Sequence, residues 1–290
     1  MEGLTVPTNL ACAVADQGRQ AWLGTLPAAV EHAARRWNLA VGEPYEPGGG
    51  SAWVAPVETR DGKGLVLKLA WAHWEAAHEA DGLRLWAGDG AVILHAVEDL
   101  GPTVALLLER CHPATPLSSM PEDLQDRVVA RLLLQLWREP PAGNSFRCLS
   151  EMCERWSTGF ADRAARVPPT LDPGLVRTGL ALFRELAASA APTLLLCTDL
   201  HAGNVLASRR QPWLMIDPKP HVGDPTYDLL QHMLNCPARL HTDPVALCNR
   251  MAALTGLEPE RTRLWLFARC VVESAEWPEL AEAARQLAPA

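Results

Sequence analysis

Two apolar, strand-sized runs, Thr193 to Cys197 and Trp213 to Ile216, each lead into a carboxylate. The first opens the segment Asp199-Leu200-His201-Ala202-Gly203-Asn204-Val205-Leu206, and the second ends on Asp217, eighteen residues after Asp199. A loop spelled Asp-Leu-His is common by chance. The ordered set of two carboxylates and an amide, each placed at a strand end, is not. Asp199 can accept a proton from an attacking hydroxyl, while Asn204 and Asp217 offer the hard oxygens that Mg²⁺ prefers. Such a metal bridges the phosphates of a nucleotide.

At 290 residues the chain is long enough for two lobes or one large domain. No apolar run reaches the length of a membrane span. The opening Met1-Glu2-Gly3-Leu4 has no basic stretch ahead of an apolar one, so a secretory signal is not expected. The eight cysteines are irregularly spaced and include no C-x-x-C pair. They read as reduced core residues of a cytoplasmic protein rather than as a zinc site. A net charge of −8 argues against a nucleic-acid partner. Most of that excess sits in residues 1–111, so it does not identify a cationic substrate.

Ala28 to Leu39 has helical spacing, and Gly48-Gly49-Gly50-Ser51 then breaks the chain. Strands are expected at Ala52 to Val57, Leu65 to Leu69, Ala91 to Ala96 and Val104 to Leu108, with a helix over His73 to Trp86. Beyond the proline-rich Glu109 to Pro121 the chain turns helical, starting from the stripe Leu124, Val128, Leu132 and Leu136. Further helices are expected over 146–166, 173–190, 226–235, 244–255, 260–275 and 278–287. The fold class is therefore α+β and bilobal. A nucleotide-binding lobe with an antiparallel sheet spans residues 1–111, and a larger helical lobe with the catalytic loop and acceptor pocket spans 112–290.

Lysine usage adds an independent argument. Only Lys63, Lys68 and Lys219 are lysines among 26 basic side chains. A compact ammonium fits among phosphate oxygens where a planar guanidinium does not. Lys68 lies in an apolar strand, opposite in alternation to Leu65, Leu67 and Leu69. Glu75 and Glu79 follow one helical turn apart, and one of them should pair with Lys68. Gly49, Gly50 and Ser51 could bring backbone N–H groups to the phosphates.

These residues carry a resemblance. The loop D-L-H-x-G-N is similar to that of the aminoglycoside phosphotransferase branch of the protein-kinase-like fold. Glu79-Ala80-Asp81-Gly82-Leu83-Arg84-Leu85-Trp86, Asp217-Pro218-Lys219-Pro220 and Gly223-Asp224-Pro225-Thr226-Tyr227-Asp228 resemble segments of the streptomycin 6-kinase and hydroxyurea phosphotransferase family. The resemblance spans roughly residues 48 to 236. It implies ATP and Mg²⁺ as cofactors, Glu79 as the partner of Lys68, and Leu107-Leu108-Glu109-Arg110 as an adenine-binding hinge. His201 is expected to shape the loop or contact phosphate. The family commonly has His two positions before the catalytic Asp, where this chain has Cys197, a change that bears on the rigidity of the loop.

The resemblance further implies a phosphotransferase acting on a small-molecule hydroxyl, of an aminoglycoside such as streptomycin or of hydroxyurea. The enzyme is expected to act as a monomer. Glu273, Glu276 and Trp277 could receive a cationic acceptor, with the alternative of a solvated face beside a core tryptophan. Asp224 is either a helix cap or an acceptor contact. Lys219 either neutralises phosphate or anchors Asp224. Two rival readings are weaker. A two-metal phosphoesterase needs a later G-N-H segment that is absent here, and a pseudokinase would lack the Lys, Asp or Asn that this chain keeps.

Overall fold

Leu65, Leu67 and Leu69 alternate onto one face of a strand, and that face is the floor of the first of two structural units. The computed structural model describes residues 4–13, 17–166 and 170–289. The chain divides into Met1–Ala114 with Ser208–Pro212, and Thr115–Ala207 with Trp213–Ala290. The first unit holds an antiparallel sheet of β1 (Leu39–Val41), β2 (Ala52–Thr59), β3 (Gly64–Trp71), β4 (Leu94–Asp99) and β5 (Thr103–Glu109), in the order β1-β2-β3-β5-β4. A tight turn at Asp61-Gly62 joins β2 to β3, with Gly62 at φ +79°. Glycine occupies that left-handed conformation without the steric cost of a Cβ.

Helix Leu26–Trp37 lays Leu26, Ala29, Val30 and Ala33 against Leu65, Leu67 and Leu69, forming one apolar cluster. The spacing of these helix residues is that of a single buried stripe. The helix expected over residues 73–86 is shorter: a 3₁₀ turn covers Trp74–Ala76, and the α-helix runs from Glu79 to Trp86. The side chain of Glu75 lies outside those described. The fourth strand begins three residues later than its apolar run, and Ala91 and Val92 are buried just ahead of it.

Residues 208–212 form the tip of a hairpin and belong to the first unit. Arg210 reaches Glu109 through Nε at 2.9 Å and Nη2 at 2.8 Å, and also donates to the carbonyls of Ala91 and Gly88. Glu109 N–H donates to Ile93 O at 2.8 Å, and its carboxylate accepts from Arg210 and from Ile93 N–H. Burial works to raise the Glu109 pKa, but these hydrogen bonds outweigh it and hold the group below the usual carboxylate range. Its N–H and its carboxylate are thus both engaged within this unit.

The second unit is mainly helical: Glu122–Leu136, Leu149–Arg166, Pro173–Ala188, Asp228–Leu234, Pro237–Thr242, Pro244–Thr255, Pro259–Glu273 and Leu280–Leu287. Helix Pro259–Glu273 is buried on nearly every side from Trp265 to Val272. A Cβ on Gly179 would lie 2.6 Å from Val271 Cβ, so only glycine allows helix Pro173–Ala188 to approach so closely. Six cysteines are buried, whereas Cys12 and Cys148 are exposed, and all eight are free thiols. Among the described residues, no helix is long and apolar enough to cross a membrane.

Asp126 is the polar hub of this unit. It is fully buried and accepts from Arg239 Nη1 at 2.8 Å, Arg239 Nη2 at 2.9 Å and Arg250 Nε, and it meets His232 Nε2 at 2.9 Å. Burial opposes its ionisation, but the three partners together hold its carboxyl well below the usual range. The stability contributed by this depressed group is therefore present above the unfolded pKa of about 4 and is lost as pH falls below it. Asp126→Ala should cost about 3–5 kcal/mol at neutral pH, since it removes the buried anion that Arg239, Arg250 and His232 share. Urea titrations at pH 7 and pH 3 will check this: the gap between variant and parent should narrow at the lower pH.

Candidate active site

The chain reaches Asp199 through a constrained backbone. Strand Leu194–Leu196 pairs with His221–Gly223, and a Cβ on Gly223 would sit 2.4 Å from Leu149 Cβ, so this ladder lies tight against helix Leu149–Arg166. The next residues depart from strand geometry. Thr198 has φ +50°, a left-handed conformation that a β-branched side chain rarely adopts.

The Asp228 carboxylate enforces it. Asp228 is fully buried and accepts from Thr198 N–H at 2.7 Å, Cys197 N–H at 2.9 Å and Trp137 Nε1–H at 2.9 Å. Thr198 Oγ1 donates to Lys219 O, while Asp199 N–H and Lys219 N–H both donate to Cys197 O, at 2.8 and 2.9 Å. The Cys197 thiol is buried, and burial pushes its pKa well up, so it remains protonated. Loop geometry here comes from the Cys197 backbone rather than its side chain. A residue type without histidine's ring nitrogens therefore suffices at this position.

Asp199 is paired. Lys219 Nζ donates to its Oδ2 at 2.6 Å. Lys219 thus meets Asp199 and not Asp224, which removes the reading of this lysine as an anchor for Asp224. Asn204 Nδ2 donates to Asp199 O at 3.0 Å, a bond that directs the amide oxygen away from the loop backbone. Ile216 N–H donates to Asn204 O at 2.9 Å, joining the two ends of hairpin Val205–Ser208 and Trp213–Met215. Asp217 follows at φ +53°. His201 caps the 3₁₀ turn Ala202–Asn204 by accepting Gly203 N–H on Nδ1 at 3.2 Å. Burial lowers its pKa, favouring the neutral ring that this acceptor role needs.

Asn204 and Asp217 present one amide and one carboxylate, and neither thiol nor imidazole joins them. Among the described residues there is no group of three or more His, Cys, Asp or Glu able to hold a metal alone. That donor set fits Mg²⁺, which retains waters and relies on one or two protein oxygens plus substrate phosphates. It does not fit a structural zinc site.

In the first unit, Lys68 and Glu79 form a buried pair. Lys68 Nζ donates to both carboxylate oxygens of Glu79 at 2.7 Å, with the two residues 6% and 4% exposed. The pair forms because Glu79 opens its helix while Lys68 stands mid-strand between Val54 and Leu106. Gly49 and Gly50 lie exposed in the loop before β2, and a Cβ added to Gly49 would meet no atom within 4 Å. Ser51 O accepts Trp71 N–H at 2.9 Å.

The acceptor candidates fare differently. Asp224 is 3% exposed and accepts Thr226 N–H on Oδ1 and Arg261 Nε–H and Trp265 Nε1–H on Oδ2. It is a cap and an ion-pair partner, not an acceptor surface. Glu273 accepts from Arg269 at 2.6 Å, and that guanidinium lies 4.1 Å above the Trp156 ring. The helix ends at Glu273, so Glu276 and Trp277 stand beyond it rather than on one helical face with Glu273. Trp277 is 56% exposed, and Glu276 faces Arg163 at 3.4 Å.

Asp228, Arg261 and Arg269 shape the site without any sequence pattern that singles them out. Only the Gly223-to-Asp228 segment hints at the first. Burial raises the Asp228 pKa to about 6, against the lowering effect of its three N–H partners. The folded chain therefore holds this proton more tightly than the unfolded chain, and stability falls as pH rises from about 4 to about 6. Asp228→Asn should abolish that slope. It should also turn an amide N–H toward Thr198 N–H and lower kcat by about tenfold to a hundredfold, the loss of one charged hydrogen bond. Denaturation curves at pH 4, 5 and 7 with steady-state kinetics will check both.

Comparison with known proteins assigns the chain to a family. A family model described as aminoglycoside/hydroxyurea antibiotic resistance kinase matches residues 36–280. A hydroxyurea phosphotransferase of Kitasatospora aureofaciens is 38% identical over 256 residues, 87% of this chain and 73% of that protein. A streptomycin 6-kinase of Streptomyces glaucescens is 31% identical over 264 residues, 89% of this chain and 84% of that protein. A choline kinase structure from Streptococcus pneumoniae aligns with a TM-score of 0.63 at 13% identity, covering 90% of this chain and 97% of that one. That likeness shows a shared fold, the protein-kinase-like α+β architecture. The chain belongs to the aminoglycoside/hydroxyurea antibiotic resistance kinases and is a small-molecule kinase.

Proposed function

We propose that this enzyme transfers the γ-phosphoryl group of ATP to a hydroxyl of an aminoglycoside of the streptomycin type. The observation that carries the phosphoryl transfer is the Asp199–Lys219 pair at 2.6 Å, set beside Asn204 on a loop held by Asp228, and the acceptor class is supported by the streptomycin 6-kinase that is 31% identical. Lys219 engages Oδ2 of Asp199, so the lysine fixes the carboxylate's rotamer. Oδ1 is then the oxygen that orients the acceptor hydroxyl and takes its proton as the new O–P bond forms and the bond from the γ-phosphorus to the bridging β–γ oxygen breaks, with ADP as the leaving group. Asn204 and Asp217 would hold Mg²⁺, which when bound neutralises charge on the phosphoryl oxygens. Lys68, braced by Glu79, would clamp the phosphates that are not transferred. Gly49, Gly50 and Ser51 would direct backbone N–H groups to the same phosphates. Catalysis is then positioning and charge neutralisation, with no covalent enzyme intermediate.

A second reading, hydroxyurea or another small uncharged alcohol, has its own support. The carboxylates of Asp224 and Glu273 are already neutralised by Arg261 and Arg269. Of the carboxylates considered for a cationic sugar, only Glu276 stays largely exposed, at 57% of its side chain. The relative that is 38% identical is a hydroxyurea phosphotransferase.

Asp199→Asn should reduce kcat by ~10²–10⁴-fold while leaving nucleotide affinity near that of the parent. Turnover within tenfold of the parent would refute the role of this carboxylate. Asp217→Ala should remove the Mg²⁺ dependence of binding a non-hydrolysable ATP analogue, read by calorimetry. Glu276→Gln separates the two acceptors: a rise of about tenfold in KM for streptomycin, from loss of a charged contact, supports the aminoglycoside, whereas turnover of hydroxyurea with no effect of the substitution supports the uncharged acceptor.

A further inference from the structure

The chain ahead of the family-matched span, which begins at residue 36, is packed directly on the glycine loop. Four observations place it there. Asn9 Nδ2–H donates to Gly48 O at 2.9 Å, and Asn9 N–H donates to Pro47 O at 2.9 Å. Thr8 N–H donates to Glu46 Oε2 at 3.1 Å. Gly48 has φ +73°, and a Cβ there would lie 2.6 Å from Pro7 Cβ, so the two segments touch where only glycine fits. The N-terminal segment is itself anchored from behind. Leu10 is fully buried in the cluster with Trp22 and Leu26, and Trp53 Nε1–H donates to Thr5 O at 2.9 Å.

A loop of three glycines has high conformational entropy, and ordering it around an anion carries a cost. An external brace that fixes two consecutive carbonyls, Pro47 and Gly48, lowers that cost before ligand arrives. Gly49 and Gly50 next to them remain open, with no atom closer than 3.7 Å to a Cβ at either position. We infer that Asn9 is a positioning residue for nucleotide triphosphate binding: the segment Pro7–Asn9 holds the first half of the glycine loop, so that the second half is preset to receive phosphate. The inference rests on the proposal that this loop contacts the nucleotide's phosphates. Asn9 touches no reacting atom and acts through Gly48.

The brace has a specific signature. It should matter for ligands that reach the loop with their phosphates and not for the base and ribose. Asn9 is exposed, so its replacement opens no core cavity, unlike removal of the segment that carries Leu10. Asn9→Ala should raise KM for ATP about threefold to tenfold, the range for one lost hydrogen bond, with KM for the acceptor and Kd for adenosine unchanged. Asn9→Asp keeps the side chain's shape and places an acid in the first turn of helix Thr8–Cys12, where it favours the helix. It lacks the N–H donor, so ATP KM should rise at least as far while Tm holds or increases. Gly49→Val, which has room for its side chain in the free enzyme, serves as the loop control. If Gly49→Val weakens ATP binding and neither Asn9 variant does, the brace is wrong and the phosphate loop stands. If no variant changes ATP binding, the phosphate role of the loop fails and the brace with it. If Asn9→Ala weakens adenosine and ATP equally and lowers Tm, Asn9 is only structural and the inference is overturned.

Discussion

The candidate active site depends on one buried carboxylate that never meets substrate. Asp228 gathers the N–H groups of Cys197, Thr198 and Trp137, and through them holds Thr198 in a left-handed conformation. Such a conformation costs on the order of 1–3 kcal/mol for a residue of this kind and persists only where its surroundings over-determine it. The result is a sharp bend that sends the following residue, Asp199, out of the sheet and toward Lys219. Asp217 repeats the device at the end of the next hairpin, again with positive φ. The two carboxylates assigned to chemistry are thus both aimed by strained backbone, and packing around Asp228 makes one of those strains permanent.

Charge compensation organises the rest of the helical unit. Asp126, Asp224 and Glu273 each meet arginine, and the planar fork binds two oxygens or bridges neighbouring elements in a way that a lysine cannot. Arg210 does the same for Glu109 in the sheet unit. The scarcity of lysine then acquires a physical meaning. Two of the three, Lys68 and Lys219, stand where a compact ammonium touches a carboxylate, Glu79 and Asp199 respectively. Both carboxylates belong to the proposed phosphate and hydroxyl chemistry. The structural ion pairs of these four carboxylates use arginine, and the candidate site uses lysine.

This division also explains why the acceptor residues are the least legible. Glu273 and Asp224 have the right charge and the right neighbourhood in sequence, but a sequence does not show which carboxylates are already paired. Arg269 lies one helical turn before Glu273, while Arg261 is thirty-seven residues from Asp224, brought to it by the packing of helix Pro259–Glu273. The expectation that Glu273 and Glu276, three residues apart, share one helical face fails for a local reason. The helix stops at Glu273, where Ser274 N–H still reaches back to Cys270 O and the chain then turns before Pro278.

The antiparallel sheet and most helices are legible in the chain alone, because apolar periodicity of two or of 3.6 residues is a local property. So is the order Lys68, Glu79, Asp199, Asn204, Asp217, since the proposed chemistry needs those residue types in that order along the chain. What is not local waits for the packed molecule. Folding sets Lys219 on Asp199 instead of Asp224, turns Glu109 inward to Arg210, seats the N-terminal Asn9 on Gly48, and makes Asp228 the support of the loop that carries Asp199. Each of these is a contact between residues twenty or more positions apart. Whether a buried polar group is satisfied, and by which partner, depends on how distant elements pack, and no local pattern carries that information.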